Sequence, residues 1–90
     1  MDFEWNDNKS ASNLVKHGLS FYEAQEAFFD NKRVILVDSS HSTKEKRYFC
    51  IGKTVYDGIA TVRFTIRSSH IRIIGAGYWR KGKKIYEQHN

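Results

Sequence analysis

The order of apolar and polar positions divides the chain into a helical first third and a stranded remainder. Ala11, Leu14 and Val15 recur at helical spacing, with Asn6 placed as an N-cap and Asp7 behind it. Lys16 and His17 fill the last turn, and Gly18 follows as a left-handed C-cap. A second helix starts at once from the capping box Ser20 and Glu23, carries Ala24, Ala27 and Phe28 as its apolar stripe, and ends near Asp30 and Asn31. From Arg33 the period becomes two. Arg33 to Val37 is a nearly continuous apolar run, the pattern of a buried strand, and the polar stretch from Asp38 to Glu45 is a loop. A second strand is expected from Lys46 to Val55, closed by the hairpin signal Tyr56-Asp57-Gly58. The third is the clearest: Ala60, Val62, Phe64 and Ile66 take one face, and Thr61, Arg63, Thr65 and Arg67 the other. Ser68-Ser69 turns the chain into a fourth strand from His70 to about Gly75, and Gly75-Ala76-Gly77 loosens the backbone before a basic helix from about Tyr78 to Gln88. The opening Phe3-Glu4-Trp5 is either a brief strand or a hydrophobic plug.

The elements therefore read α-α-β-β-β-β-α. This predicts an α+β domain: two N-terminal helices, a four-stranded meander antiparallel sheet and a C-terminal helix, with the helices on one face. At 90 residues the chain is expected to be one domain, 1–90.

Charge sharpens the picture. Residues 1–45 hold five Lys/Arg against eight Asp/Glu, a net of −3; residues 46–90 hold ten against two, a net of +8. A polyanion-facing surface built by the second half is the reading this asymmetry favours over a plain solvated one. Arg63, Arg67 and Arg72 converge at one end of the sheet if they share its open face, and Arg80, Lys81, Lys83 and Lys84 add charge from the last helix. Guanidinium forks grip phosphate bidentately, and Lys adds mobile charge. Tyr78, Trp79 and Tyr86 are placed to stack bases, although Trp79 and Tyr86 lie seven apart, the spacing of a packed helix stripe. Lys9, Asn13 and His17 share one helical face with Lys16 beside them; spacing alone makes this a solvated face opposite Leu14.

Other chemistries find little support. His17, His41, His70 and His89 lack ligand spacing and Cys50 is alone, so no metal and no cofactor is expected. Cys50 lies among apolar strand residues, as a buried inert thiol does. No glycine-rich phosphate loop is present. No run of 18 apolar residues and no signal-peptide pattern occurs, so no membrane role is expected and a reducing cytoplasm is the expected location.

Phe3-Glu4-Trp5, Lys9, Asn13, Lys16-His17-Gly18, Phe21 and Ala24 together resemble the opening signature of the BrnT toxins. Later marks follow in order: Asp38 and His41, Arg47 opening a strand, Ile51-Gly52, Thr65 with Arg67, Arg72-Ile73-Ile74, and Tyr86-Glu87. Where family members commonly carry a serine and an arginine after that Arg-Ile-Ile, this chain has Gly75 and Gly77. The resemblance implies a RelE-like fold and the toxin role in a type II toxin–antitoxin module, a ribonuclease that blocks translation. It also implies a BrnA antitoxin, a ribbon-helix-helix protein through which alone the toxin would reach operator DNA.

Metal-free cleavage of RNA needs a 2′-hydroxyl nucleophile, charge stabilisation at phosphorus and proton transfer. On the resemblance, Arg67 and Arg72 are assigned the phosphate charge, with Lys9, Lys16 and His17 as a second set and His17, Lys16 or Tyr86 as general base. Arg47, Arg63, Arg80, Lys81, Lys83 and Lys84 would bind the RNA, and an acidic antitoxin segment would cover the basic face. Two rivals remain: a catalytically weak, antitoxin-bound operon co-regulator, and a plain RNA-binding domain.

Overall fold

The computed structural model describes residues 2–56 and 58–90. The elements run β1 (Asp2–Glu4), α1 (Asp7–His17), α2 (Phe21–Ala24), β2 (Val34–Val37), β3 (Arg47–Lys53), β4 (Ile59–Arg67), β5 (His70–Gly77) and α3 (Arg80–His89). Single 3₁₀ segments lie at Gln25–Phe29 and Ser39–His41. The Cα radius of gyration is 12.1 Å.

Local sequence sets the helix starts. Asn6 Oδ1 accepts from Lys9 N, and Ser20 Oγ accepts from Glu23 N. Gly18 ends α1 at φ 69°, where a side chain would be strained. The expected second helix holds α-geometry only to Ala24 and then tightens to 3₁₀ through Phe29.

The sheet order is β1-β5-β4-β3-β2. β2 to β5 form the expected antiparallel meander. The correction is β1: Phe3-Glu4 forms a strand that pairs parallel to β5, with Asp2 opposite His70 and Glu4 opposite Arg72, so the sheet is five-stranded and mixed. Three residues are too short to show a period, which is why the sequence left the segment open. Gly75-Ala76-Gly77 does not loosen the backbone but continues β5, after a register shift at Arg63/Phe64. The expected Tyr56-Asp57-Gly58 hairpin centres on Asp57, which lies outside the described residues; Thr54 N donates to Gly58 O across its ends.

The helices do not share one face. Ala60, Val62 and Phe64 of β4 and Cys50 of β3 pack with Leu19, Phe21, Ala24 and Ala27 on the first face. Phe64 stacks on Tyr48 and meets Phe28 edge-on, at ring separations of 5.2 and 5.0 Å. On the second face, α3 lays Tyr86 and Ile85 on Val34 and Ile51. Gly82 allows this approach, since a Cβ there would run into Thr61 Oγ1. Tyr86 Oη donates to Asp30 Oδ2 at 2.6 Å, tying α3 to the turn before β2.

α1 is turned the opposite way from its apolar periodicity. Leu14 and Val15 are 50% and 86% exposed, whereas Asn13 is 9% exposed. β1 pairs only as far as Arg72, so the rest of β5 presents a strand edge. Asn13 closes that edge: its Nδ2 donates to Ala76 O (2.9 Å) and Leu19 O (2.7 Å), and its Oδ1 accepts from Ala76 N (3.3 Å). A polar side chain substitutes here for a partner strand.

Candidate nucleic-acid interface

Turning Asn13 inward carries its neighbours toward the sheet. Lys9, Ser12, Lys16 and His17 line a cleft of about 260 Å³ whose other wall is Arg63, Ile74, Gly75 and Trp79. The polar face of α1 thus borders a shared open cleft while Lys9, Lys16 and His17 stay exposed to solvent. His17 meets the Trp79 ring edge-on, with centroids 5.5 Å apart.

Arg63 and Trp79 also line a second, more apolar groove of about 570 Å³ on the α3 face, with Leu36, Phe49, His41 and Lys81. Arg63 Nε is buried without a hydrogen-bond partner, and among the described residues no carboxylate pairs with this side chain. It is a cation lining both clefts, and its charge acts on the buried Asp38.

The other arginines of this face differ. Arg47, Thr65 and Arg72 lie side by side across β3, β4 and β5, with Arg63 and Arg67 two residues away on either side along β4. These arginines therefore share one face, but it is the face on which α3 packs over Thr61 and not the open one expected. Arg67, however, forks onto Glu45 through Nε (3.1 Å) and Nη2 (2.9 Å), and Arg72 Nη1 bonds Glu4 Oε2 at 2.7 Å. Hydrogen bonding to Arg67 holds the Glu45 carboxyl below its ordinary value. Arg47 Nε, like that of Arg63, is buried without a partner.

Tyr86 lies apart from the α1 cleft. Burial and its bond to Asp30 push its phenol up to about 12, which suits packing rather than proton abstraction. Trp79 is the N-cap residue of α3, not part of a stripe with Tyr86. Tyr78 donates to Glu23 Oε2 and shares a 2.9 Å bond with Thr54 Oγ1. The α3 cations are exposed but divided: Lys81 faces the apolar groove, while Arg80 and Lys83 line a separate hollow with Glu23 and Tyr78.

One arrangement was not read from the sequence as a site. The loop before β3 makes a 3₁₀ turn that sets His41 Nδ1 on Asp38 Oδ2 (2.9 Å) and Oδ1 (3.1 Å). Asp38 is buried; burial raises its pKa, but bonds from His41 and Ser40 and the Arg63 charge outweigh this and lower it overall. An Asp-x-x-His spacing over one helical turn is the signal that would have found it. Cys50 is buried, its thiol pushed up to about 12 by burial. Among the described residues no group of three His, Cys, Asp or Glu could hold a metal ion, and no helix is long and apolar enough to cross a membrane.

Fold and site define an α+β protein with a basic, aromatic-lined double cleft beside an arginine-bearing sheet face, a surface suited to a polyanion. Residues 5–82 match the family described as ribonuclease toxin, BrnT, of type II toxin–antitoxin system, and the chain belongs to that family. Its fold is similar to that of the Brucella abortus ribonuclease toxin BrnT in its crystal structure, with a TM-score of 0.65 at 23% identity over 88% of this chain and 96% of that one. Among curated proteins none matches.

Proposed function

We propose that this toxin is a metal-independent endoribonuclease that stops translation by cutting RNA, and that the cleft at Arg63 holds the scissile phosphate. The observation that carries the reading is the buried, unpaired Arg63 Nε between the two clefts. A guanidinium desolvated on one side and in no direct ion pair, with the Asp38 carboxylate acting on it only through its charge, supplies charge to a phosphorane at lower reorganisation cost than a solvated one. Lys9, Lys16 and His17 add positive charge and a titratable ring from α1, and Trp79 offers a face for a base. Arg47, Arg67 and Arg72 extend the anion track along the sheet, the last two after exchanging their carboxylate partners for phosphate.

The natural inhibitor in this reading is a BrnA-type ribbon-helix-helix antitoxin whose acidic segment occupies the same basic surface, with Lys81 at its rim. The chain acts in the cytoplasm as a single domain and meets operator DNA through the antitoxin. Expression without antitoxin should arrest growth, and Arg63→Ala should relieve the arrest at unchanged protein level and melting temperature. Undiminished arrest by a folded Arg63→Ala chain would remove Arg63 from the site.

A further inference from the structure

Resting on the ribonuclease reading, we propose that His41, held by Asp38, is the general base that takes the proton of the attacking 2′-hydroxyl. The carboxylate accepts at Nδ1, so the neutral ring carries its proton there and turns the Nε2 lone pair outward. The ring is more than half exposed while its carboxylate is buried, the arrangement of an oriented base with free access to substrate.

The loop that carries the pair is fixed to the sheet. Asp38 N donates to Arg47 O at 2.8 Å, Ser42 Oγ donates to Asp38 O at 2.6 Å, and Arg47 N donates to Ser42 Oγ at 2.9 Å. Ser40 Oγ donates to Asp38 Oδ1 at 3.0 Å, fixing the carboxylate itself.

His41 also stands between cations. It shares the apolar groove with Arg63 and Lys81, and on its other side a recess of about 360 Å³ with Arg47, Arg67, Lys44 and Glu45. These are the charged groups facing it from the loop, β3, β4 and α3, with Asp38 beneath. A phosphate bridging the two hollows would lie against guanidinium charge with the imidazole beside it. In the step, the 2′-OH proton passes to Nε2 and the 2′ oxygen bonds to phosphorus. The P–O5′ bond breaks with its electron pair on the 5′ oxygen, which takes a proton from solvent. The products are a 2′,3′-cyclic phosphate and a 5′-hydroxyl, and His41 returns its proton to water.

Asp38 is then a positioning residue. The test is the cleavage rate of one RNA oligonucleotide against pH for wild type, His41→Gln and Asp38→Asn, with affinity for the uncleavable 2′-O-methyl oligonucleotide measured in parallel. Wild type should lose rate toward acid pH, giving a rising limb, because a protonated ring cannot accept the 2′-hydroxyl proton. His41→Gln should lose about 10²–10⁴-fold in rate together with that limb, at an affinity within about threefold of wild type. Asp38→Asn should lower the rate while leaving affinity for the uncleavable oligonucleotide within about threefold of wild type, because the ring loses the carboxylate that orients it. A His41→Gln chain that cleaves at the wild-type rate with the same limb overturns the assignment and leaves the ribonuclease reading standing. A wild type that binds RNA but cleaves none overturns the ribonuclease reading, and the base with it. Nitrogen NMR of the wild-type ring gives a readout that needs no variant to fold: the neutral ring should carry its proton on Nδ1, and a proton on Nε2 overturns the proposal.

Discussion

Replacing Asn13 by alanine tests whether a polar side chain, rather than an apolar stripe, docks α1. The change removes two donations to carbonyls, at 2.7 and 2.9 Å, and a weaker acceptance from Ala76 N at 3.3 Å. At a net of about 1 kcal/mol each, the loss is about 3 kcal/mol, and water entering from the adjacent cleft brings it toward 2. A chain of this size has a total stability of roughly 5–13 kcal/mol, so the variant should stay folded but melt about 10–20 °C lower. Asn13→Asp should cost at least as much: it keeps the shape and the acceptor for Ala76 N but sets a carboxylate against two carbonyl oxygens. Urea and thermal denaturation read both changes. A solvated polar residue on a helix shifts stability by about 0.5 kcal/mol or less. An Asn13→Ala effect that small would refute the docking, and with it the placement of Lys9, Lys16 and His17 opposite Arg63.

Three further outcomes follow from particular residues. Ser68 and Ser69 turn β4 into β5 at φ 49° and 66°, so Ser69→Gly should raise stability by about 1 kcal/mol in urea denaturation. A Cβ at Gly77 would strike the Trp79 indole whereas one at Gly75 meets Arg63 Cδ at an ordinary 3.8 Å. Gly77→Ala should therefore cost about 1–3 kcal/mol and change tryptophan fluorescence, while Gly75→Ser should leave both nearly unchanged. Asp30 and Asp38 sit below their ordinary 3.8; burial raises each, but bonds from Tyr86, Lys53 and Lys32 to the first, and from His41 and Ser40 to the second, outweigh it. Their stabilisation is complete above that value and is lost as pH falls through the lowered ones, so the acid limb of a pH–stability curve should be shallower in Asp30→Asn.

Much of the architecture was legible because it follows from local rules. The caps at Asn6, Ser20 and Gly18 and the alternation along β4 each have a short-range cause, and four antiparallel strands followed from them. What escaped depended on partners distant in sequence. Apolar periodicity pointed Leu14 and Val15 inward because it cannot register a helix held by an amide on a strand edge. The assignment of all helices to one face failed because the closeness of Gly82 to Thr61 appears only once the sheet exists. In the site, Arg67 and Arg72 looked as free as Arg63, since Glu45 and Glu4 reach them through sheet pairing and not through spacing. His41 and Asp38 were visible as family marks, but only the 3₁₀ turn makes them a pair.

The most direct test of the central claim, that the Arg63 cleft cuts RNA without metal, is the cleavage of one RNA oligonucleotide in excess EDTA by wild type and Arg63→Gln, with the new ends identified by mass spectrometry. The account predicts 2′,3′-cyclic phosphate ends from wild type and a rate about 10²–10³-fold lower from a folded Arg63→Gln chain. Cleavage that stops in EDTA and returns with a divalent ion, or an Arg63→Gln chain as fast as wild type, would contradict it.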